Sequence, residues 1–453
     1  MVRRRFTARR SKAQLVAPAR PTPRETKALS DMDDCGYLRF YICSTEFFCP
    51  VPPTMEMGMD PAKAIRAALA EALVHYYPLA GRLREMPGGR LAVECTGEGV
   101  VFVEADADVV LGDLGQPPMP PYPEDLLCDA VNEHTPVVGN PLAYMQVTRL
   151  RCGAFALSVH MCHNLVDGFG MFQFIRAIAD IARGEARPTI LPVWDREHIF
   201  KARTPPRIRN DIFPGHASGI ILTPDSDMPP DMVSQLFCFG PKEIATLRSH
   251  VPVHLAESCT TFELLAALMW RCRTIALGYH QPGGGLAPVR LVFRINARGK
   301  YPPIPLGYYG NAVLRPMVEA SVDDLCNKPL GHALELVHRA KLDGATQEHV
   351  RSTVDMITAA RAHPFLGVDR AFHVTDITRL GQDRIDMGWA NRVSGGVPSI
   401  MDPMSHHMAF KNQDGQLITA VSSFLPKHAM DRLSKEMSMW IRSDAKKLIP
   451  SSV

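Results

Sequence analysis

The chain lacks both the long apolar runs of membrane proteins and the paired cysteines of disulfide or zinc frameworks. No window approaches the ~20 consecutive apolar residues of a membrane helix, so we expect no membrane insertion. The 11 cysteines are odd in number and include no C-x-x-C pair. This pattern is typical of free thiols in a reducing compartment, and we expect a cytoplasmic protein without a bound metal.

An excess of charge of one sign is also lacking. The 50 Lys and Arg residues nearly balance the 47 Asp and Glu residues, which gives a net charge of +3. Apart from a cluster between Arg3 and Lys12 the basic residues are spread out, so nucleic acid is not expected as a partner. No apolar segment of signal-peptide length follows that cluster, which favours a solvated N-terminal arm; an organellar transit peptide is the alternative.

Phosphate-binding fingerprints are missing too, since the chain contains neither a P-loop nor a Rossmann glycine motif. What it does contain is enough apolar sequence, 46% of 453 residues, for two domain cores. Strand-like and helix-like segments alternate throughout, which predicts an α/β fold. Residues 187–230 are rich in proline and have little periodicity, which predicts a crossover between an N-terminal domain, 1–186, and a C-terminal domain, 231–453.

The most informative stretch surrounds His163. Alternating apolar residues from 155 to 161 predict a strand that leads to this histidine, and a helical apolar period follows at 171–178. His163 and Asp167 form the only H-x-x-x-D pair in the chain, and a Gly-Phe-Gly continuation at 168–170 lets other backbone approach closely. This turn is therefore predicted to be a functional site.

Three other interpretations of the same turn fit less well. Cys162 is a candidate nucleophile, but strand alternation points it away from the face of His163. His160, His163 and Asp167 are candidate metal ligands of a hydrolase, yet His160 and His163 lie three residues apart and face opposite sides of a strand. Asp167 is a candidate to orient the imidazole, although four residues across a turn is not a reliable geometry for that contact.

Local signals define further elements. Asp60 followed by Pro61 predicts the start of a helix, and Thr260 with Glu263 forms a capping box ahead of another. Residues 386–389 predict a tight turn that contains a packed tryptophan.

Four of these segments together carry a family resemblance. In chain order they are 77–83 (YPLAGRL), 163–168 (HNLVDG), 296–299 (NARG) and 386–389 (DMGW). Their order and spacing resemble the plant BAHD acyl-CoA-dependent acyltransferases over nearly the whole chain. The opening, residues 15–34, is similar to the alcohol acyltransferase branch of that family, which includes benzyl alcohol O-benzoyltransferases.

The resemblance implies a fold and a place for the site. The family consists of two α/β domains of the chloramphenicol-acetyltransferase type, with the active site in a channel at the domain interface. That arrangement suits the predicted crossover. It leaves open whether a segment near 386–404 crosses back to the N-terminal domain.

The resemblance also implies roles for single residues. His163 would be the general base that takes the proton of the attacking hydroxyl, because its ordinary pKa suits that task. Asp167 would pair with Arg298 and, with Gly168, hold the turn in shape. The last signature of the family reads D-F-G-W-G, so Met387 and Ala390 depart from it. That turn is expected to be structural, and its matching residues are Asp386, Gly388 and Trp389.

The expected substrates are acyl-CoA and a small-molecule alcohol, with no covalent acyl-enzyme. Thr260, Thr261 and Arg298 are the candidates, by position, for binding the CoA phosphates. Benzyl alcohol is the favoured acceptor and benzoyl the favoured acyl group, ahead of acetyl and hydroxycinnamoyl. An amine acceptor and a catalytically silent, acyl-CoA-binding or partner-binding member of the fold stay open. A monomer is expected.

Overall fold

The N-terminal half is organised around one large sheet. The computed structural model describes residues 6–51, 58–208, 231–280, 287–299, 304–359 and 370–441. Elements of the first half are β1 (Ala8–Arg10), β2 (Gln14–Val16), β3 (Thr26–Ala28), β4 (Tyr41–Pro50), α1 (Pro61–His75), β5 (Arg82–Glu85), β6 (Leu91–Glu94), β7 (Val100–Ala107), β8 (Ala143–Leu150), β9 (Phe155–Cys162) and α2 (Gly168–Ala182).

The C-terminal half builds a second large sheet with helices on one of its faces. Its elements are β10 (Met232–Phe239), α3 (Pro241–Arg248), α4 (Thr261–Ala276), β11 (Val289–Phe293), β12 (Ile295–Asn296), β13 (Val313–Leu314), β14 (Met317–Ala320), α5 (Val322–Asn327), α6 (Leu330–Gly344), α7 (Gln347–Ala359), β15 (Ala371–Asp376), β16 (Ala390–Gly396), β17 (Met404–Lys411), β18 (Leu417–Pro426) and α8 (Lys427–Ile441).

Strand order shows that one late strand returns to the first sheet. That sheet runs β1-β7-β8-β9-β4-β16, with β2 also paired to β7, and the second runs β10-β18-β17-β15-β11-β14. Strand β16 pairs antiparallel with β4, so that Gly396 lies opposite Thr45. Small sheets, β3-β6-β5 and β12-β13, complete the strands of the described residues. Residues 390–396, within the segment near 386–404, thus pair with the first sheet.

The sequence explains why α1 and α4 begin where they do. The side chain of Asp60 accepts a hydrogen bond from the Ala62 amide and Pro61 occupies the first turn, which confirms the predicted start of α1. Thr260 and Glu263 cap α4 reciprocally, as the sequence predicted. Both helices bury an apolar face against a separate core, one under each large sheet.

Strand β4 begins at Tyr41 and follows a short 3-10 turn, Gly36–Leu38. The predicted crossover is described as far as residue 208, and residues 209–230 lie outside the described residues. None of the described helices is long and apolar enough to cross a membrane.

Candidate active site

His163 immediately follows the C-terminal end of β9, and its backbone is fixed from both halves of the molecule. Its amide donates to the Phe40 carbonyl at 2.8 Å, and its own carbonyl accepts from the side chain of Asn311 at 2.8 Å. The Phe40 ring meets the imidazole edge-on, with 5.1 Å between ring centroids. The imidazole is half-buried and keeps contact with solvent.

A single hydrogen bond defines which nitrogen of His163 is available. Nδ1 lies 2.8 Å from the carbonyl oxygen of Val166, so Nδ1–H donates there and Nε2 is left as an acceptor. Burial lowers the pKa of His163 below 6.5, and the positive charge of Arg315 lowers it further. The ring is consequently neutral at neutral pH, with an unprotonated nitrogen to receive a proton.

Asp167 points away from the imidazole and forms the centre of a separate bonding group. Its buried carboxylate caps α2 by accepting from the Gly170 amide at 2.9 Å, and it also accepts from the Ala312 amide at 3.0 Å. Arg298 donates to both carboxylate oxygens, at 2.8 and 3.2 Å. The structure therefore contains the Asp167–Arg298 pair that the resemblance implied, joining the turn to the C-terminal half.

Glycines allow the loop 307–312 to lie against the start of α2. A Cβ atom on Gly170 would lie 2.1 Å from the Tyr309 carbonyl oxygen, which no side chain can tolerate. A Cβ on Gly168 would lie 2.8 Å from the end of the Leu380 side chain. Gly170 therefore serves backbone approach, and it lets the loop that carries Asn311 lie beside His163.

A buried aspartate, Asp33, was missed by the sequence analysis. It is fully buried, pairs with the buried Arg196 at 2.8 Å and accepts from both the amide and the side chain of Asn311 at 2.8 Å. Arg196 in turn donates to the Leu165 carbonyl, and Asn164 donates to the Asp33 carbonyl at 2.7 Å. The only signal in the sequence was the close spacing of three aspartates, at 31, 33 and 34, just before the segment 35–38 (CGYL).

The environments of Cys162 and His160 do not favour the alternative roles of nucleophile and metal ligand. Cys162 is fully buried, and burial raises its pKa to about 12, so its thiol stays protonated. Burial lowers the pKa of His160 to about 4. Among the described residues, no three His, Cys, Asp or Glu side chains form a cluster that could hold a metal ion.

The candidates for CoA phosphate binding are not brought together. Arg298 uses all five N–H groups on Asp167, Asn296 and the carbonyls of Tyr308 and Gly310. No N–H remains for a phosphate, so Arg298 is better placed as a support of the His163 turn. The Thr260 hydroxyl is engaged with Glu263, and that of Thr261 accepts from Arg248.

The turn at 386–389 lies at the far end of α2 from His163. Asp386 accepts from the Gly388 amide at 2.8 Å and pairs with Arg183, just beyond α2, at 3.0 Å. Trp389 donates to the Ala182 carbonyl at 3.2 Å and stacks on Phe155, with 5.6 Å between centroids. Since α2 has 15 residues, this turn is roughly 20 Å from the imidazole.

Comparison with known proteins agrees with this architecture. The model of the Transferase family matches residues 7–440. Spermidine hydroxycinnamoyltransferase 1 of Oryza sativa subsp. japonica is 48% identical, covering 91% of this chain and 94% of its own length. Benzyl alcohol O-benzoyltransferase of Nicotiana tabacum is 43% identical, covering 97% of this chain and 95% of its own.

A solved structure supports the fold. The structure of F. sporotrichioides TRI101 complexed with coenzyme A and T-2 aligns with a TM-score of 0.73 at 16% identity, over 90% of this chain and 97% of the other. The α/β fold predicted from the sequence is therefore confirmed. Since the family model covers most of the sequence and two relatives exceed 40% identity over nearly all of it, the chain belongs to the Transferase family, the BAHD acyl-CoA-dependent acyltransferases.

Proposed function

We propose that this acyltransferase moves an acyl group from its CoA thioester directly to an alcohol, with His163 as the general base. The observation that carries the proposal is the Nδ1 hydrogen bond to Val166, which leaves Nε2 free on a half-buried ring between the two halves of the chain. A base so placed can accept a hydroxyl proton without first losing one of its own.

The chemistry follows from that nitrogen. An alcohol near neutral pH is a poor nucleophile, so Nε2 takes its proton as the oxygen attacks the thioester carbonyl. The carbon–sulfur bond then breaks, and the imidazolium returns the proton to the departing CoA thiolate. Attack is direct because the adjacent thiol of Cys162 is buried and protonated.

Supporting roles are part of the same proposal. Asp167, Gly168 and Arg298 hold the turn, and Asp386, Gly388 and Trp389 hold the opposite end of α2. Thr260 and Thr261 stay our candidates for CoA phosphates, since they open α4 with Lys341 and Arg248 beside them. We place the domain boundaries at 1–186 and 231–453, with the crossover at 187–230 and 386–404 added to the first domain.

Two acceptor classes have specific support. The 43% identity to a benzyl alcohol O-benzoyltransferase favours benzyl alcohol and a benzoyl donor, ahead of acetyl and hydroxycinnamoyl. The 48% identity to a spermidine hydroxycinnamoyltransferase favours an amine instead, because the same neutral base serves both nucleophiles. We propose a cytoplasmic monomer, since all 11 cysteines are free and one chain supplies both Asn311 and His163.

A donor-by-acceptor matrix tests the proposal. Benzoyl-CoA, acetyl-CoA and a hydroxycinnamoyl-CoA are each offered with benzyl alcohol and with spermidine, and release of free CoA thiol is measured. We expect His163→Ala to stay folded by circular dichroism and to lose roughly 10²–10⁴-fold in kcat/KM. Full turnover by the variant contradicts the role of His163, and no turnover by the wild type favours the silent, ligand-binding member of the fold.

The pH profile checks the state of the imidazole. Neutral His163 is the active base, so kcat/KM has its maximum value above the pKa of His163 and falls as the pH drops through that pKa. Because burial lowers this pKa, we expect the acid limb below pH 6.5. The reaction without enzyme is the control. An acid limb above pH 6.5 that appears only with the enzyme contradicts the assigned tautomer and environment of His163.

A further inference from the structure

Two arginines, Arg294 and Arg315, face each other where the second large sheet meets the small β12-β13 sheet, close to the candidate active site. Val292 pairs with Met317 on β11 and β14, and Ile295 pairs with Leu314 on β12 and β13. Both pairs belong to one antiparallel register, which places Arg294 directly opposite Arg315. Cross-strand partners of this kind have Cβ atoms about 5 Å apart, and like charges there are destabilising.

The sheet face that carries both arginines is the one without helices. Phe293, Ile295 and Leu314 belong to the core under the helices of the C-terminal half. Alternation along the strands therefore turns Arg294 and Arg315 to the opposite face. On that face Arg315 lies over the ring of Tyr37, 4.0 Å from its centroid.

The Tyr37 contact connects the pair to His163. Tyr37 precedes Phe40 by three residues, and Phe40 packs edge-on against the imidazole of His163. The positive charge of Arg315 is also one of the causes that lower the pKa of His163. Arg315 thus lies within electrostatic reach of His163, and Arg294 lies across from Arg315.

Arg294 is the member of the pair without a partner. Within the described part of the chain, its Nη1 group is shielded from solvent and makes no hydrogen bond, and no carboxylate lies within ion-pair distance of its guanidinium. Burial and Arg315 lower the pKa of Arg294 to about 9, while Asp402 and Tyr37 oppose that effect from a distance. His373 and His406 face the same group, and burial and Arg294 lower the pKa of each.

We propose that Arg294, with Arg315, binds a carboxylate on the acyl group or on the acceptor, so that the enzyme prefers an anionic substrate. A shielded N–H group of a guanidinium without an acceptor is costly, and a planar carboxylate matches the guanidinium's geometry. The CoA phosphates do not fit this position, because the pantetheine arm separates them from the thioester at His163. The inference rests on the proposed function for the reaction but concerns a separate contact.

Matched substrate pairs test the inference on the wild-type enzyme. The acceptor pair is 4-(hydroxymethyl)benzoate and its methyl ester, and the donor pair is malonyl-CoA and acetyl-CoA. We expect the carboxylate member of one pair to have the higher kcat/KM, by roughly ten- to hundredfold. The pair that shows the preference identifies the substrate that carries the carboxylate, and equal rates within both pairs overturn the inference without any variant.

Variants assign the preference to one side chain. Arg294→Gln is expected to reduce the carboxylate preference at least tenfold, and Arg294→Lys to restore part of it because the charge remains without the planar fork. Arg290→Gln is the matched control: Arg290 lies four residues earlier on the same face but pairs with Glu319 at 2.7 Å. A loss of preference in Arg290→Gln equal to that in Arg294→Gln contradicts a specific contact.

Binding separates this inference from the proposed function. Calorimetry with the His163→Ala enzyme measures whether the favoured anionic member, 4-(hydroxymethyl)benzoate or malonyl-CoA, binds more tightly than its neutral match without any turnover. Tighter binding that disappears in His163→Ala/Arg294→Gln supports the subsite even if no acyl transfer is found. If the enzyme transfers acyl groups but the anionic and neutral members of each pair do not differ in binding or in rate, carboxylate binding by Arg294 is contradicted. The proposed function is then unaffected.

Discussion

The two ends of α2 carry the two most distinctive segments of the sequence, and they are held in different ways. At the N-terminal end, Asp167 is buried and bonded to Arg298 and to backbone amides from both halves. At the C-terminal end, the side chain of Asp386 is 61% exposed and pairs with a half-exposed arginine. The first end fixes the turn that carries His163, whereas the second packs a helix against a sheet.

This difference explains where the sequence departs from its family. Met387 and Ala390, the two departures from the D-F-G-W-G signature, are buried at 0% and 1% exposure among apolar neighbours. Packing tolerates apolar exchange when volume is accommodated. No such freedom exists at the other end, where each atom of the Asp167 carboxylate has a partner.

Of the changes at the two ends of α2, Asp167→Asn is expected to have the largest effect on turnover. Removing the charge leaves the mostly buried Arg298 uncompensated, which costs about 3 kcal/mol of stability, and it loosens the turn that positions the base. We expect kcat/KM to fall at least about tenfold, with thermal unfolding measured in parallel.

A double-mutant cycle is the control for that charge. Arg298→Gln alone should also destabilise, and Asp167→Asn/Arg298→Gln should cost clearly less than the sum of the two single changes. Strictly additive costs would mean that the two side chains do not act as a pair.

Trp389→Ala should affect stability while sparing the site. The change removes a buried indole that stacks on Phe155 and donates to Ala182, with an expected loss of about 3–5 kcal/mol. Because the turn is roughly 20 Å from His163, the KM values of the folded fraction should be unchanged. A changed KM at a temperature where the variant is folded would show that the Trp389 end of α2 also affects substrate binding.

Gly388→Ala should have a smaller effect at the same end. Gly388 has a φ of +73°, and a Cβ there would lie 2.8 Å from the Arg183 side chain. Backbone strain of this kind costs about 1–3 kcal/mol, and the Arg183 side chain must shift as well because its Cγ is the atom at 2.8 Å. Chemical denaturation measures the loss, and Gly89→Ala, at a φ of +74° with its nearest neighbour at 3.7 Å, is the matched control for strain alone.

Asp386→Asn should change least. Its ion pair with Arg183 is exposed to solvent, and such pairs contribute at most about 1 kcal/mol. The amide oxygen can still accept from the Gly388 backbone. A loss comparable to that of Asp167→Asn would show that exposure does not distinguish the two ends.

Local chemistry was readable from the sequence, and pairing between distant segments was not. The change from strand to helical period around His163, the cap at Asp60 and the box at Thr260 all depend on neighbouring residues, and the structure has them. The Asp167–Arg298 pair spans 131 positions and came from family resemblance alone. Asp33 escaped notice because its partners, Arg196 and Asn311, are recruited by the folded chain and leave no local pattern.

The return of β16 to the first sheet has a consequence for synthesis. Until residues 390–396 leave the ribosome, β4 is an open edge with unpaired amides and carbonyls beside the strand that leads to His163. The first sheet can therefore be completed only after most of the C-terminal half has been translated. A nascent chain stalled before that point would present the open edge of β4 to other chains.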